Sequence, residues 1–336
     1  MRAQGVTLLD DLIAHSSVGL VESILPAFRV SLTLKKAKRY LKKHSVDLVI
    51  LIDNQGMNLP LSRITKSLNI KTFYYFPPQV SIWGKWNATK LSRLVDMIFC
   101  PFREDHEIYR NAGGHSVYVG HPFLELFQKD KSSSIAVKSN NQPEIHTIGL
   151  FPGSRRQEIL RLFPLFLDVA QLLAKSHPSR FLIPVSSGIF LSLLQRLLLP
   201  HGNLNLDFIG QGDYKSYATC DLSIISSGTA SLELALLSVP QIVVYRLNPI
   251  TYFLTDLFLR IPYISLPNIL LRDHLVPEYI QGEATVGNIL RSAISLLTSP
   301  QQRSRHIEGL RGLASHLGPG DTLKTMARHI HQNLLS

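Results

Sequence analysis

Two arginines stand at a corner in "IGLFPGSRRQEIL", residues 148–160, where an apolar run gives way to a polar, helix-like one. Pro152 ends the run Ile148–Phe151, and Gly153 lets another group approach the backbone closely. Ser154 and Gln157 have the S-x-x-Q spacing of a capping box, which predicts a helix starting at Arg155. The free N–H groups and partial positive charge of a helix N-terminus suit a phosphate. Cations oppose that dipole, so Arg155 and Arg156 in a first turn imply either a negative ligand or pairing with nearby carboxylates.

A second corner lies in "DLSIISSGTASLELAL", residues 221–236. Ser226, Ser227, Gly228 and Thr229 supply hydroxyls and backbone N–H groups to a phosphate. Glu233 follows about one turn into the next helix, where an ionised carboxylate can accept from the two hydroxyls of a ribose. Alone, such a turn is an ordinary helix cap. One basic and one hydroxylic corner with an acid behind it together describe a site for a nucleoside diphosphate.

These corners need strands to carry them. Apolar runs with helical segments between them recur at 46–53, 71–76, 96–100 and 116–120, and again at 146–151, 180–187, 206–210, 221–227 and 241–246. That alternation is the pattern of parallel α/β folds. A polar, Ser/Asn/Lys-rich stretch separates the two sets, so the expected division is a domain over 1–128, a linker over 129–143 and a second domain over 144–336. The expectation is two Rossmann-like halves facing a cleft, each offering the carboxyl ends of its strands to a ligand. The first half is atypical, because its first clear strand comes only at residue 46.

The 336 residues exceed one comfortable core, and 45% hydrophobic with 18% charged residues excludes a disordered chain. Cys100 and Cys220 lack metal-ligand spacing and read as buried thiols of a reducing compartment. No secretory signal or membrane-spanning run is visible, and "LSLLQRLLLP" (191–200) is short enough to be a core helix. The net charge of +11 implies an anionic partner, partly through the basic segment "LKKAKRYLKKH" (34–44), a solvated helix face or a membrane contact. No zinc-finger spacing, RNP signature or Arg/Gly-rich tail points to nucleic acid.

The blocks "LFPGSRRQEI", "SSGTASLELAL", "VVYRLNPITY", "YISLPNIL" and "VPEYIQGEAT" resemble those of the lipid-A-disaccharide synthase family. "VGLVE" (18–22), "PPQVSIWGKW" (77–86) and "VYVGHP" (117–122) resemble the family's N-terminal half, so the likeness covers nearly the whole chain. It implies a GT-B glycosyltransferase that passes 2,3-diacylglucosamine from UDP-2,3-diacylglucosamine to 2,3-diacylglucosamine 1-phosphate. The products would be a β-1,6-linked disaccharide 1-phosphate and UDP, formed with inversion. It also implies that the last helix packs back on the first domain.

In that reading Gly153, Ser154, Arg155 and Arg156 serve the diphosphate, Ser227, Gly228 and Thr229 lie opposite, and Glu233 takes the ribose. Arg246 is a further phosphate contact or a strand cap, and Asn268 matches a polar family position near the substrate. No D-x-D cluster is present to hold a divalent ion, in line with the metal independence expected of the fold, and no cofactor is implied. The acylated acceptor places the enzyme on the cytoplasmic face of the bacterial inner membrane, with the basic segment and the apolar-rich 252–266 as contacts.

The chain departs from the family in two places. Its first residue coincides with an internal family position, so the family's initial strand and G-E-x-S-G-D turn are expected to be missing. Where the family reads I-D-x-P-D-F-N, this chain has "LIDNQGMN", and alignment on Asp53 and Asn58 puts Gly56 at the favoured general base. Asp53, at a strand's carboxyl end, is the best-placed substitute; Asp47 matches a family acid but sits at the strand's start, and His121 is on another strand. Two alternatives stay open, a catalytically impaired paralogue that binds a nucleotide sugar or lipid, and another UDP-sugar enzyme of the GT-B class.

Overall fold

The computed structural model describes residues 5–10, 24–82, 85–129, 145–202, 204–247 and 262–335. The linker, "VGLVE" and most of 252–266 lie outside them. The chain forms two compact units, Met1–Gln128 with Leu317–Ser336, and Lys129–His316.

In the first unit the strands β1 (Leu48–Ile52), β2 (Lys71–Tyr75), β3 (Met97–Cys100) and β4 (Ser116–Tyr118) form a parallel sheet in that order. Preceding them is α1 (Ile24–Lys43); α2 (Gln55–Ser67), α3 (Trp86–Ser92), α4 (Arg103–Asn111) and α5 (Pro122–Lys129) follow the strands in turn. On one face Leu51, Tyr74, Ile98 and Cys100 pack with Ala88 and Leu91 of α3 and Tyr109 of α4. On the other, Phe73, Tyr75, Met97 and Phe99 meet Met326 and Ile330, which come from the far end of the chain. Burial on both faces explains why β2 and β3 read as unbroken apolar runs.

The second unit has β5 (His146–Phe151), β6 (Ser179–Val185), β7 (Leu206–Gly210), β8 (Leu222–Ser226), β9 (Gln241–Tyr245) and β10 (Glu278–Ile280). All are parallel, in the order β10-β9-β8-β5-β6-β7. Winding therefore reverses between β5 and β8, the place where doubly wound sheets bind ligands beyond their carboxyl ends. The helices are α6 (Arg156–Ser176), α7 (Leu191–Leu198), α8 (Tyr214–Ala218), α9 (Thr229–Leu236), α10 (Leu266–Leu271), α11 (Val286–Thr298) and α12 (Pro300–Gly312). Leu193 and Leu194 of α7 are buried, as a core helix requires.

The final helix, α13 (Thr322–Leu335), belongs to the first unit and supplies Met326 and Ile330. The segment before it is held by His121 N–H donating to Leu317 O (2.7 Å) and Thr322 Oγ1 donating to Val119 O (3.0 Å). Gly120 has φ +79°, and a Cβ there would come within 2.9 Å of Leu317 O, so the "VGHP" turn needs glycine.

The units share a device that no sequence repeat betrays. Thr72 N–H donates to Asp96 Oδ2 (2.7 Å) and Asp96 N–H to Thr72 O (2.8 Å). Thr147 N–H likewise donates to Asp221 Oδ2 (2.8 Å) and Asp221 N–H to Thr147 O (2.7 Å). An aspartate just before β3 or β8 thus locks the start of the neighbouring strand.

Candidate functional site

Phe151 pairs with Ile225, so the segments leaving β5 and β8 start side by side at the reversal of winding. The first leads into α6, one residue later than the capping-box spacing predicts: Arg155 is the N-cap, with extended backbone and no side-chain cap bond. The reaching group is Glu158, not Gln157. Its carboxylate accepts from Ser154 N–H (3.1 Å) and from the Arg155 guanidinium (2.8 Å). An ionised acceptor at the third helical position beats a neutral amide for those donors.

Gly153, at φ +110°, fits this arrangement, because a Cβ there would lie 2.4 Å from Glu158 Oε2. The close approach that glycine permits is thus made by the chain's own carboxylate. Pairing with a carboxylate accounts for Arg155; Arg156 is exposed and makes no ion pair with a described residue.

The second segment leads into α9, whose N-cap Gly228 provides no side-chain cap, leaving the first-turn N–H groups of Thr229 and Ala230 uncapped. Ser227 Oγ donates to Ile264 O (2.7 Å) and keeps its lone pairs. Glu233 is half-buried, and its carboxylate accepts no hydrogen bond from a described residue. Burial raises its pKa from 4.5 to about 6. Beside it stand the phenols of Tyr214 and Tyr217, both raised by burial and by Glu233.

The Tyr217 ring meets Phe151 edge-on at 5.0 Å, and its hydroxyl accepts from Gly212 N–H (2.9 Å). Sequence reasoning missed both tyrosines. The available signal was the turn "GQGDYKSY" after β7, which delivers them to the same sheet edge.

Asn268 is committed to the chain itself. It is fully buried, with Nδ2 donating to Val276 O (2.8 Å) and Glu278 Oε1 (2.7 Å) and Oδ1 accepting from Val276 N–H (2.8 Å). Both amide hydrogens are committed, which leaves no donor for a ligand. Glu278 in turn accepts from Ile264 N–H (2.9 Å), so Asn268 acts through Glu278 and Ile264 on Ser227. Arg246, just beyond β9, donates to Ala284 O.

In the first unit Asp53 closes β1 in a left-handed conformation, φ +50°, followed by Asn54 at φ +37°. Its carbonyl accepts from Asn58 Nδ2 (2.6 Å) and Tyr74 Oη (2.7 Å), which fixes the backbone and leaves the carboxylate exposed at the carboxyl edge. Asp47 is exposed at the opposite end of β1, about 20 Å away at the rise of an extended strand, so the two expected acids do not meet.

Gly56 is exposed at the second position of α2, and a Cβ there meets only Asn54 Oδ1, at 3.8 Å. His121 is buried among the rings of Phe76, Phe102 and Phe123. Its Nδ1 accepts from Phe123 N–H (3.3 Å), and burial lowers its pKa to about 4, too low for a base at neutral pH.

Residues 1–319 match the family described as lipid-A-disaccharide synthetase. The lipid-A-disaccharide synthase of Geobacter metallireducens is 33% identical over 97% of this chain and 85% of its own length. That of Nitrosococcus oceani is 32% identical over 95% and 83%. Among solved structures, UDP-GlcNAc 2-epimerase from Neisseria meningitidis, bound to UDP-GlcNAc, aligns with a TM-score of 0.60 at 15% identity over 91% of this chain and 81% of its own. MurG of Acinetobacter baumannii aligns with a TM-score of 0.53 at 17% identity over 92% and 82%. These structures share the fold.

Proposed function

The chain belongs to the lipid-A-disaccharide synthetase family, a family of glycosyltransferases, and from that premise we propose its reaction. It transfers 2,3-diacylglucosamine from UDP-2,3-diacylglucosamine to 2,3-diacylglucosamine 1-phosphate, giving the β-1,6-linked disaccharide 1-phosphate and UDP. The acceptor's 6-hydroxyl oxygen bonds to the anomeric carbon from the side opposite the diphosphate, the bond to UDP breaks, and the hydroxyl proton passes to a base.

The observation that carries the donor half is the convergence at β5 and β8 of Arg155, Arg156 and the uncapped start of α9, with the Glu233 carboxylate, unpartnered among the described residues, behind them. Arg155 and Arg156 meet the diphosphate, with Ser227, Gly228 and Thr229 on its other side and Glu233 on the ribose. Gly153 and Ser154 serve the turn, since the Glu158 carboxylate fills the space beside Gly153 and takes the Ser154 N–H. Fixed cations and a helix N-terminus stabilise the charge that grows on the leaving UDP. Asp53 is the proposed base, because its carboxylate is exposed at the sheet edge on a backbone that Asn58 and Tyr74 hold in place.

The acylated substrates place the enzyme on an anionic membrane surface, the cytoplasmic face of the inner membrane. In support, Lys35, Lys36, Lys38, Arg39, Lys42 and Lys43 are exposed on α1, which carries no acid. No helix among the described residues is long and apolar enough to cross a membrane. Titration with UDP tests the donor half: Arg155→Ala lowers affinity by about 1.5–3 kcal/mol, the size of a charge-assisted hydrogen bond. Unchanged affinity removes Arg155 from the site.

A further inference from the structure

Outside the two corners, the second unit has an open depression of about 370 Å³ lined by Arg161, Arg246, Leu247, Gln281 and Gly282. It lies at the ends of β9 and β10, with Arg161 reaching it from α6. Arg161 is about 7.5 Å further along the helix than Arg156, at the rise of an α-helix. None of the described lining residues is acidic.

Its wall is fixed by the chain itself. Gln281 is held at φ +49°, a left-handed conformation uncommon for any residue but glycine. Its amide grips the Leu247 backbone twice, with Leu247 N–H donating to Oε1 (2.8 Å) and Nε2 donating to Leu247 O (3.3 Å). Arg246 is anchored by its bond to Ala284 O, which uses one of its five donors. Arg161 and Arg246 thus line one depression with no acid among its described lining residues, and guanidinium groups fork around phosphate oxygens.

We propose that this depression is a second phosphate site, distinct from the diphosphate corner, and that it holds the 1-phosphate of the acceptor sugar. This rests on the transfer reaction proposed above, whose acceptor carries the one substrate phosphate left without a partner once the corners hold the donor's diphosphate. Arg246 then serves the acceptor and not UDP.

The test is calorimetric titration of glucosamine 1-phosphate into the protein saturated with UDP, with glucosamine as the phosphate-free control. Two variants are used. Arg161→Gln removes one cation, and Gly282→Asp puts a carboxylate beside both arginines at a position where a Cβ meets nothing within 4 Å. The proposal predicts that wild type binds the sugar phosphate and not glucosamine, and that each variant weakens it roughly tenfold to a hundredfold, the range of one or two charge-assisted contacts. UDP affinity, measured in parallel, stays within about twofold and reports that the variants are folded.

Loss of UDP affinity in step with the sugar phosphate would assign the depression to the donor and overturn the proposal. Sugar-phosphate binding unchanged in both variants, or absent from UDP-saturated wild type, would overturn it while leaving the donor site standing. Wild type that binds no UDP would contradict the transfer reading itself, and the acceptor site with it.

Discussion

The Glu158 carboxylate stands 2.8 Å from the Arg155 guanidinium and also accepts from Ser154 N–H, one turn into the helix that Arg155 caps. The pair changes what the two arginines mean. Arg155 is aimed by an acid, whereas Arg156 is exposed with no ion pair to a described residue. Glu158 is itself buried, so it holds Arg155 and the turn in one geometry before any nucleotide arrives.

Glu158→Gln keeps the shape but removes the charge that orients Arg155. UDP affinity should fall by about tenfold, the lower end of a charged hydrogen bond. Calorimetric titration checks this, and the double variant with Arg155→Ala should lose little more than Arg155→Ala alone, because the two residues act as a unit.

Glu233 costs stability in its ionised form. Burial raises its folded pKa from 4.5 to about 6, so the folded state holds the proton more tightly than the unfolded chain. That advantage is present below pH 4.5 and is lost as pH rises to about 6, above which the buried charge costs up to about 2 kcal/mol. Glu233→Gln should therefore melt higher than wild type at pH 8 and bind UDP more weakly. The proposed ribose contact requires the ionised form, so the Glu233-dependent part of UDP affinity should fade as pH drops below about 6.

Gly56 and Asp53 separate a slow enzyme from an inactive one. Gly56→Asp fits without a clash and puts an acid in the first turn of α2, where the dipole favours it by about 0.3–1 kcal/mol. Its turnover should exceed that of wild type. Asp53→Asn should lower kcat by about 10²–10⁴-fold with UDP affinity unchanged. Identical turnover in wild type and Asp53→Asn would remove Asp53 as the base.

Two buried histidines make the protein acid-sensitive. His121 in the first unit and His306 in the second have pKa values lowered from 6.5 to about 4, chiefly by burial. A depressed folded pKa for a histidine means that stability is intact above 6.5 and falls as pH drops towards 4, since only the unfolded chain takes up protons there. Each contributes up to about 3 kcal/mol of loss over that window. Thermal melts between pH 7 and 4 should show the fall, and His306→Gln should reduce it.

The strands and both corners were legible because buried parallel strands read as apolar runs and the turns that follow them as glycine and hydroxyl clusters. The strand Glu278–Ile280 was not legible, because three residues carrying one charge make no run. The exact cap was hidden for another reason: the spacing of three fits Ser154 with Gln157 and Arg155 with Glu158 alike, and only the turn's geometry chooses between them. Asn268 illustrates the limit for buried amides, since its type and its place after Pro267 fit a ligand contact as well as the internal bonds it makes. Tyr214 and Tyr217 reach Glu233 through the fold and not through sequence spacing.

Product analysis is the direct test of sugar transfer. The purified chain is incubated with UDP-2,3-diacylglucosamine and 2,3-diacylglucosamine 1-phosphate, and the lipid products are read by mass spectrometry. The expected products are a disaccharide 1-phosphate and UDP in equal amounts, both requiring Arg155 and Asp53. Tight UDP binding with no disaccharide from either wild type or Gly56→Asp would contradict transfer.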